Sequence, residues 1–132
     1  MTLEAIQLRF FAIANQLDSQ RALPIFPQHD GSAHAEQLGN SYFYVVTDRG
    51  TEFQRRETQN PDELLSWFVR DLTSEIAGRW ELDHRLPGQD SRRLRFKRHI
   101  ELLRSVDEFW ADQQQAHYND VLMMCPFNDD LK

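Results

Sequence analysis

The chain has 132 residues and a mass of 15.7 kDa, the span of one ordinary domain, and 40% of its residues are hydrophobic and 11% aromatic. That content excludes intrinsic disorder, because disordered chains lack the large side chains whose burial offsets chain entropy. A net charge of −6 and a pI near 5.3 exclude a general nucleic-acid binder, which carries a basic field, and suit a basic partner.

Leu3, Ile6, Phe10, Ile13, Ala14 and Leu17 recur at spacings of three and four. This predicts an amphipathic helix from a Thr2 cap to about Gln20. The opening lacks a basic n-region, an apolar h-region and a cleavage site, and no apolar run nears the ~20 residues that span a bilayer. A cytoplasmic location is expected. Pro24, Pro27 and His29-Asp30-Gly31-Ser32 predict an irregular stretch to about Asn40, in which Leu23–Phe26 could add a strand.

SYFYVVT, Asp48-Arg49-Gly50 and TEFQRRET then predict a β-hairpin, Ser41–Thr47 paired with Thr51–Thr58. Its first strand is apolar on both faces and so should be covered on both. The charged second strand reads as the edge. Asn60-Pro61-Asp62-Glu63 combines a cap, a proline at the first helical position and first-turn acids, predicting a helix to about His84. Leu94, Phe96, Ile100, Leu103, Val106 and Trp110 predict a third helix from an Asp90 cap to about Gln114. A short fourth helix should carry Tyr118, Val121, Leu122 and Cys125 and stop at Pro126. The fold expected is α+β and helix-dominated, a small antiparallel β-hairpin or sheet packed against long α-helices in a single domain over residues 1–132. One cysteine, Cys125, cannot form an internal disulfide and is expected in the core.

Charge is segregated along the chain. Residues 61–90 carry seven acids against three bases, Ser91–Arg104 six bases against Glu101, and residues 105–132 six acids against one base. Pairing within the fold accounts for most of this pattern. A remaining acidic patch, with Asp71, Glu75, Asp120, Asp129 and Asp130 as candidates, would steer a basic partner. Arg92 and Arg93 at a helix start oppose the macrodipole and need compensation, from Asp90 and a neighbouring acidic element. The five histidines show no metal-ligand spacing, and no nucleophile or phosphate-loop motif is present. His84 and His99 could meet across the connection between the second and third helices, and His117 with Cys125 makes a poor nucleophile pair. No enzyme and no cofactor are expected. Trp80 and Trp110 fall on core stripes. Trp67 lies off its stripe, and either broadens the buried face against the hairpin or anchors a partner.

The Tyr-rich strand, Arg49-Gly50, Arg55-Arg56, the Asp-Glu-Leu-Leu helix start, Asp90-Ser91-Arg92-Arg93 with Phe96, and Pro126-Phe127-Asn128-Asp129 together resemble the bacterial immunity protein 63 family from about Leu23 to Asp129. The resemblance implies a polymorphic-toxin immunity protein, a non-enzymatic toxin inhibitor in interbacterial competition. It would bind the C-terminal domain of a cognate toxin acting in the cytoplasm, for example a basic nuclease, with no membrane and no direct nucleic-acid contact. Arg49, Gly50, Asp90, Arg92, Arg93 and Phe96 would then be scaffold residues. Trp67 and the acids named above would face the toxin. The alternative is a non-enzymatic interaction or regulatory module, able to form a homodimer through the hairpin edge or Trp67.

Overall fold

The structure, a computed structural model, describes residues 1–129. Its elements are α1 (Leu3–Gln16), β1 (Asp30–Leu38), β2 (Ser41–Asp48), β3 (Thr51–Thr58), α2 (Pro61–Asp83), α3 (Ser91–Val106) and α4 (Glu108–Met124). The three strands form one antiparallel sheet in the order β1-β2-β3. Helix outweighs strand, so the α+β, helix-dominated expectation holds. The chain divides into two compact units, Met1–Val69 and Arg70–Lys132. No described helix is long and apolar enough to cross a membrane.

In the first unit, the Thr2 hydroxyl caps α1 by accepting from the Ala5 N–H at 3.2 Å. The helix stops at Gln16, short of the expected Gln20, because Asp18 turns left-handed with φ 58°. The Ser19 and Asp18 N–H groups then bond back to the Ala14 and Asn15 carbonyls at 2.8 and 3.1 Å, a Schellman closure with aspartate in the usual glycine position. Ile6, Phe10 and Ala14 form the buried stripe of α1.

The sheet corrects the sequence reading at its first strand. Asp30–Leu38, expected to be irregular, pairs along β2, with Ala33 opposite Val46 and Leu38 opposite Ser41. The Leu23–Phe26 segment is not a strand. Pro24 and Pro27 carry no N–H to donate, and the Pro24 carbonyl only accepts from the Ala35 N–H at 2.8 Å. β2 and β3 form the expected hairpin, and β2 is covered on both faces: Tyr42 and Tyr44 are buried on one and Val45 on the other. On the tyrosine face, the first turns of α2 bring Phe68 to 5.1 Å and Trp67 to 6.1 Å from the Tyr44 ring. Asn60 caps that helix, its side-chain oxygen accepting from the Asp62 N–H at 2.9 Å. Leu64 and Leu65 are fully buried, and each such leucine stabilises the fold by roughly 2 kcal/mol relative to exposure.

In the second unit, the buried residues of α3 are Phe96, His99, Ile100 and Leu103, and those of α4 are Trp110, Ala111 and Tyr118. Phe96 and Tyr118 stack with ring centroids 3.8 Å apart. The expected long third helix is two helices. Asp107 takes an extended conformation (φ −158°, ψ 118°), ends α3 and caps α4, its carboxylate accepting from the Trp110 N–H at 3.0 Å. The fourth helix is therefore long and takes Trp110 from the third. Cys125 is also corrected: it lies exposed at the C-terminal cap of α4, outside the core.

Candidate partner-binding surface

Arg49 and Gly50 build the β2–β3 turn, with φ values of 51° and 81°. Two successive left-handed residues match the right-handed twist of the strands. His29 holds the turn from outside, its carbonyl accepting from the Arg49 N–H and its Nδ1 from the Gly50 N–H, both at 3.2 Å. Arginine is a poor left-handed residue, whereas asparagine tolerates that region well. Arg49→Asn is therefore expected to raise stability by about 0.5–1 kcal/mol in thermal denaturation. A loss of stability would show that the guanidinium itself supports the turn.

Across the opposite sheet face from Tyr44 runs a charged ladder. Buried His34 contacts Glu36 at 2.7 Å, and Arg55 bridges Glu36 at 3.1 Å and Glu52 at 2.7 Å while lying 5.2 Å over the Phe43 ring. The His34 hydrogen bond and then Arg55 hold the Glu36 carboxyl below its ordinary range, and Glu52 in turn raises the pKa of Arg55. Edge strand β3 is exposed from Thr51 to Glu57. A bulge leaves Phe53 as an extra residue between the pairs Val46–Gln54 and Thr47–Glu52. Trp67 is half-buried, its ring covered by Arg56 at 4.2 Å. It packs against the hairpin, with its ring 6.1 Å from Tyr44.

The start of α3 is a closed brace. The Asp90 carboxylate accepts from the Arg92 N–H at 3.0 Å and the Asn128 N–H at 2.9 Å, and pairs with the Arg92 guanidinium at 2.9 Å. Arg92 first, then these backbone donors, hold the Asp90 carboxyl far below the usual carboxylate range. Arg92 also donates to the Cys125 and Pro126 carbonyls at 3.0 and 2.9 Å, satisfying the open end of α4. Arg93 pairs with Asp129 at 2.8 Å and stacks 4.2 Å from the Phe127 ring, while Asp129 accepts from the Asp90 N–H at 3.0 Å. The acidic element that Arg92 and Arg93 require is thus the C-terminal segment, and Asp129 is engaged in holding it. Asp130 lies outside the described residues.

The remaining predicted acids fall on α2 and α4. Asp71 is exposed, Glu75 pairs with Arg79 at 3.3 Å, and Asp120 is exposed on α4. From Glu108 to Met124, α4 contains no lysine or arginine, and its solvent side also presents Phe109, Met123 and Met124. A polar pocket of about 410 Å³ opens here, lined by Arg70 and Asp71 of α2, Arg95 of α3, and Gln114 and His117 of α4, with His99 and Tyr118 behind them. Sequence reading missed this pocket.

Behind it, hydrogen bonds tie the three helices together. The Thr73 hydroxyl donates to the Arg70 carbonyl at 3.2 Å, so its oxygen accepts from His99 Nε2 at 2.8 Å. His99 Nδ1 is then the acceptor for the Tyr118 hydroxyl. Burial pushes the His99 pKa down to about 4, so the ring is neutral at pH 7 and locked in one tautomer. His84 has different partners: it stacks on Trp80 at 4.2 Å and bonds the Trp80 carbonyl at 2.7 Å.

The chain matches the immunity protein 63 family over residues 39–120, from the β1–β2 turn through β2, β3, α2 and α3 into α4. The matched stretch includes Arg49, Gly50, Asp90, Arg92, Arg93 and Phe96 and stops short of Phe127. No curated protein and no solved structure matches the chain. A match over more than half of the chain, on the residues that shape the hairpin turn and the α3 corner, places this protein in the immunity protein 63 family.

Proposed function

We propose that this protein binds and neutralises a cognate bacterial toxin domain in the cytoplasm, by a non-covalent protein–protein interface and without catalysis. The family match carries this reading, since immunity proteins generally act as inhibitors and not as enzymes. The acid-bearing side of α2 and α4 is the docking face. α4 contains no lysine or arginine and offers exposed Asp120, while its Glu108 and Asp112 pair with Arg104 of α3 at 2.8 and 3.2 Å, and exposed Phe109 and Met123 supply apolar contact. Such a face accelerates encounter with a basic toxin domain, a nuclease for example, and packs against it after docking.

The homodimer alternative has weaker support. Its hairpin edge carries a bulge and the charges Glu52, Arg55, Arg56 and Glu57, devices that discourage strand pairing. Its other anchor, Trp67, is capped by Arg56.

The reading is tested by calorimetric titration into the toxin C-terminal domain encoded beside this chain, at two salt concentrations. Tight one-to-one binding that weakens with salt is expected. Reversing Asp71 and Glu75, or Asp120, to lysine should slow association at low salt by roughly tenfold, with a smaller effect on dissociation. An unchanged rate would remove the acidic face from the interface, and no binding between two folded proteins would overturn the pairing.

A further inference from the structure

We propose that the α2–α3–α4 pocket receives a carboxylate side chain of the toxin, so that the acidic docking face has a basic centre. This rests on the toxin-inhibitor reading and adds to it the chemistry of one contact. Of the five arginines of α3, four have carboxylate partners: Arg92 with Asp90, Arg93 with Asp129, Arg98 with Glu101 at 3.5 Å, and Arg104 with Glu108 at 2.8 Å. Arg95 is the exception among the described residues, and Arg95 is the one that lines the pocket. It is half-buried, with its guanidinium 5.5 Å from the Phe96 ring. Arg70 reaches the same cavity from α2, where its guanidinium donates to the Gln113 side chain.

The Glu81 carboxylate attracts Arg95 from outside salt-bridge distance and is itself paired with Arg85 at 2.7 Å, so the half-buried Arg95 guanidinium keeps hydrogen-bonding capacity that an incoming anion fills. Arginine's planar fork fits a carboxylate with two parallel hydrogen bonds. Asp71 in the lining selects among anions, because it repels a doubly charged phosphate more strongly than a singly charged carboxylate. Asp71 also begins an acidic rim, continued by Glu75 one turn along α2 and by Asp120 three residues beyond His117 on α4. A matching partner presents cations to the rim and one carboxylate to the centre. A uniformly basic patch meets repulsion at the centre, so the pattern sets register as well as attraction.

Arg95→Glu separates this proposal from simple docking of an acidic face. Simple docking predicts faster and tighter binding, because the substitution makes the face more negative. The carboxylate receptor predicts binding roughly 10- to 100-fold weaker, carried mainly by faster dissociation, since charge-assisted hydrogen bonds are worth about 1.5–3 kcal/mol. The measurement is kinetic binding to the neighbouring toxin domain, with circular dichroism melts to confirm the fold. Arg95→Ala serves as the milder variant if the reversal disturbs packing, with about a tenfold loss expected. A double-mutant cycle with toxin Asp and Glu positions should then find one acid whose truncation no longer matters once Arg95 is alanine. Unchanged or tighter binding by both Arg95 variants overturns the pocket proposal and leaves the toxin reading standing. If the wild-type chain does not bind the toxin domain at all, the toxin reading falls, and the proposal with it.

Discussion

Replacing His99 with alanine is expected to destabilise the protein by about 3–5 kcal/mol, a large share of the 5–15 kcal/mol that holds an ordinary domain together. The ring is buried at 2% exposure, and both of its nitrogens are used, one by Tyr118 on α4 and one by Thr73 on α2. Truncation leaves a cavity between three helices and takes a partner from each of two buried hydroxyls, each loss costing about 1–3 kcal/mol. Tyr118→Phe should be milder, about 1–3 kcal/mol, because it leaves only Nδ1 without a donor and keeps the aromatic stack on Phe96. Chemical denaturation of the two variants checks both the size and the order of these effects. Equal losses would mean that the Tyr118–His99 hydrogen bond, not packing of the imidazole, carries most of the effect.

Sequence reading succeeded where local chemistry decides structure. Asn60-Pro61 starts a helix whatever surrounds it, and Gly50 forms its turn at the expected place. The acidic compensation required by Arg92 and Arg93 follows from the helix dipole alone, and Asp90 and Asp129 supply it. β1 escaped because Asp30-Gly31-Ser32-Ala33 has little strand propensity, and its pairing with apolar β2 overrides that weakness. The one local clue was Gly39-Asn40, a two-residue hairpin loop between Leu38 and Ser41, with Gly39 at φ 60°. The break at Asp107 was hidden by phase: Val106 and Trp110 are four residues apart, so the apolar stripe passes through it without interruption. The pocket left no linear trace at all. Arg70, Arg95, His99 and His117 come from three helices, and the charge of α3 read as one basic block because sequence cannot tell arginines in direct ion pairs from one whose nearest acid, Glu81, lies beyond contact. Cys125 was misplaced by the same limit, since an apolar helical phase does not show that the helix end leaves the core.

His99 also makes stability depend on pH in a window of its own. Its pKa falls from an ordinary 6.5 to about 4 in the folded chain, because burial disfavours the imidazolium and the nearby Arg70 and Arg95 add repulsion. Between those values the unfolded chain holds a proton that the folded chain does not, so acid favours unfolding. The contribution is complete above pH 6.5 and is lost as pH falls towards 4. It amounts to about 3 kcal/mol in all, because each tenfold change in proton affinity is worth about 1.4 kcal/mol. Paired carboxylates such as Glu36 and Glu81, whose pKa values are lowered from 4.5, withdraw their contribution only at lower pH, so the upper part of the window isolates the histidine. Urea unfolding of the wild type at pH 7 and pH 5 should therefore show a fall of about 2 kcal/mol that is absent in His99→Gln, a side chain that can still donate to Thr73 but carries no titratable group. The same fall in both proteins would place the acid sensitivity elsewhere and would mean that the folded His99 ring takes up a proton about as readily as the unfolded one.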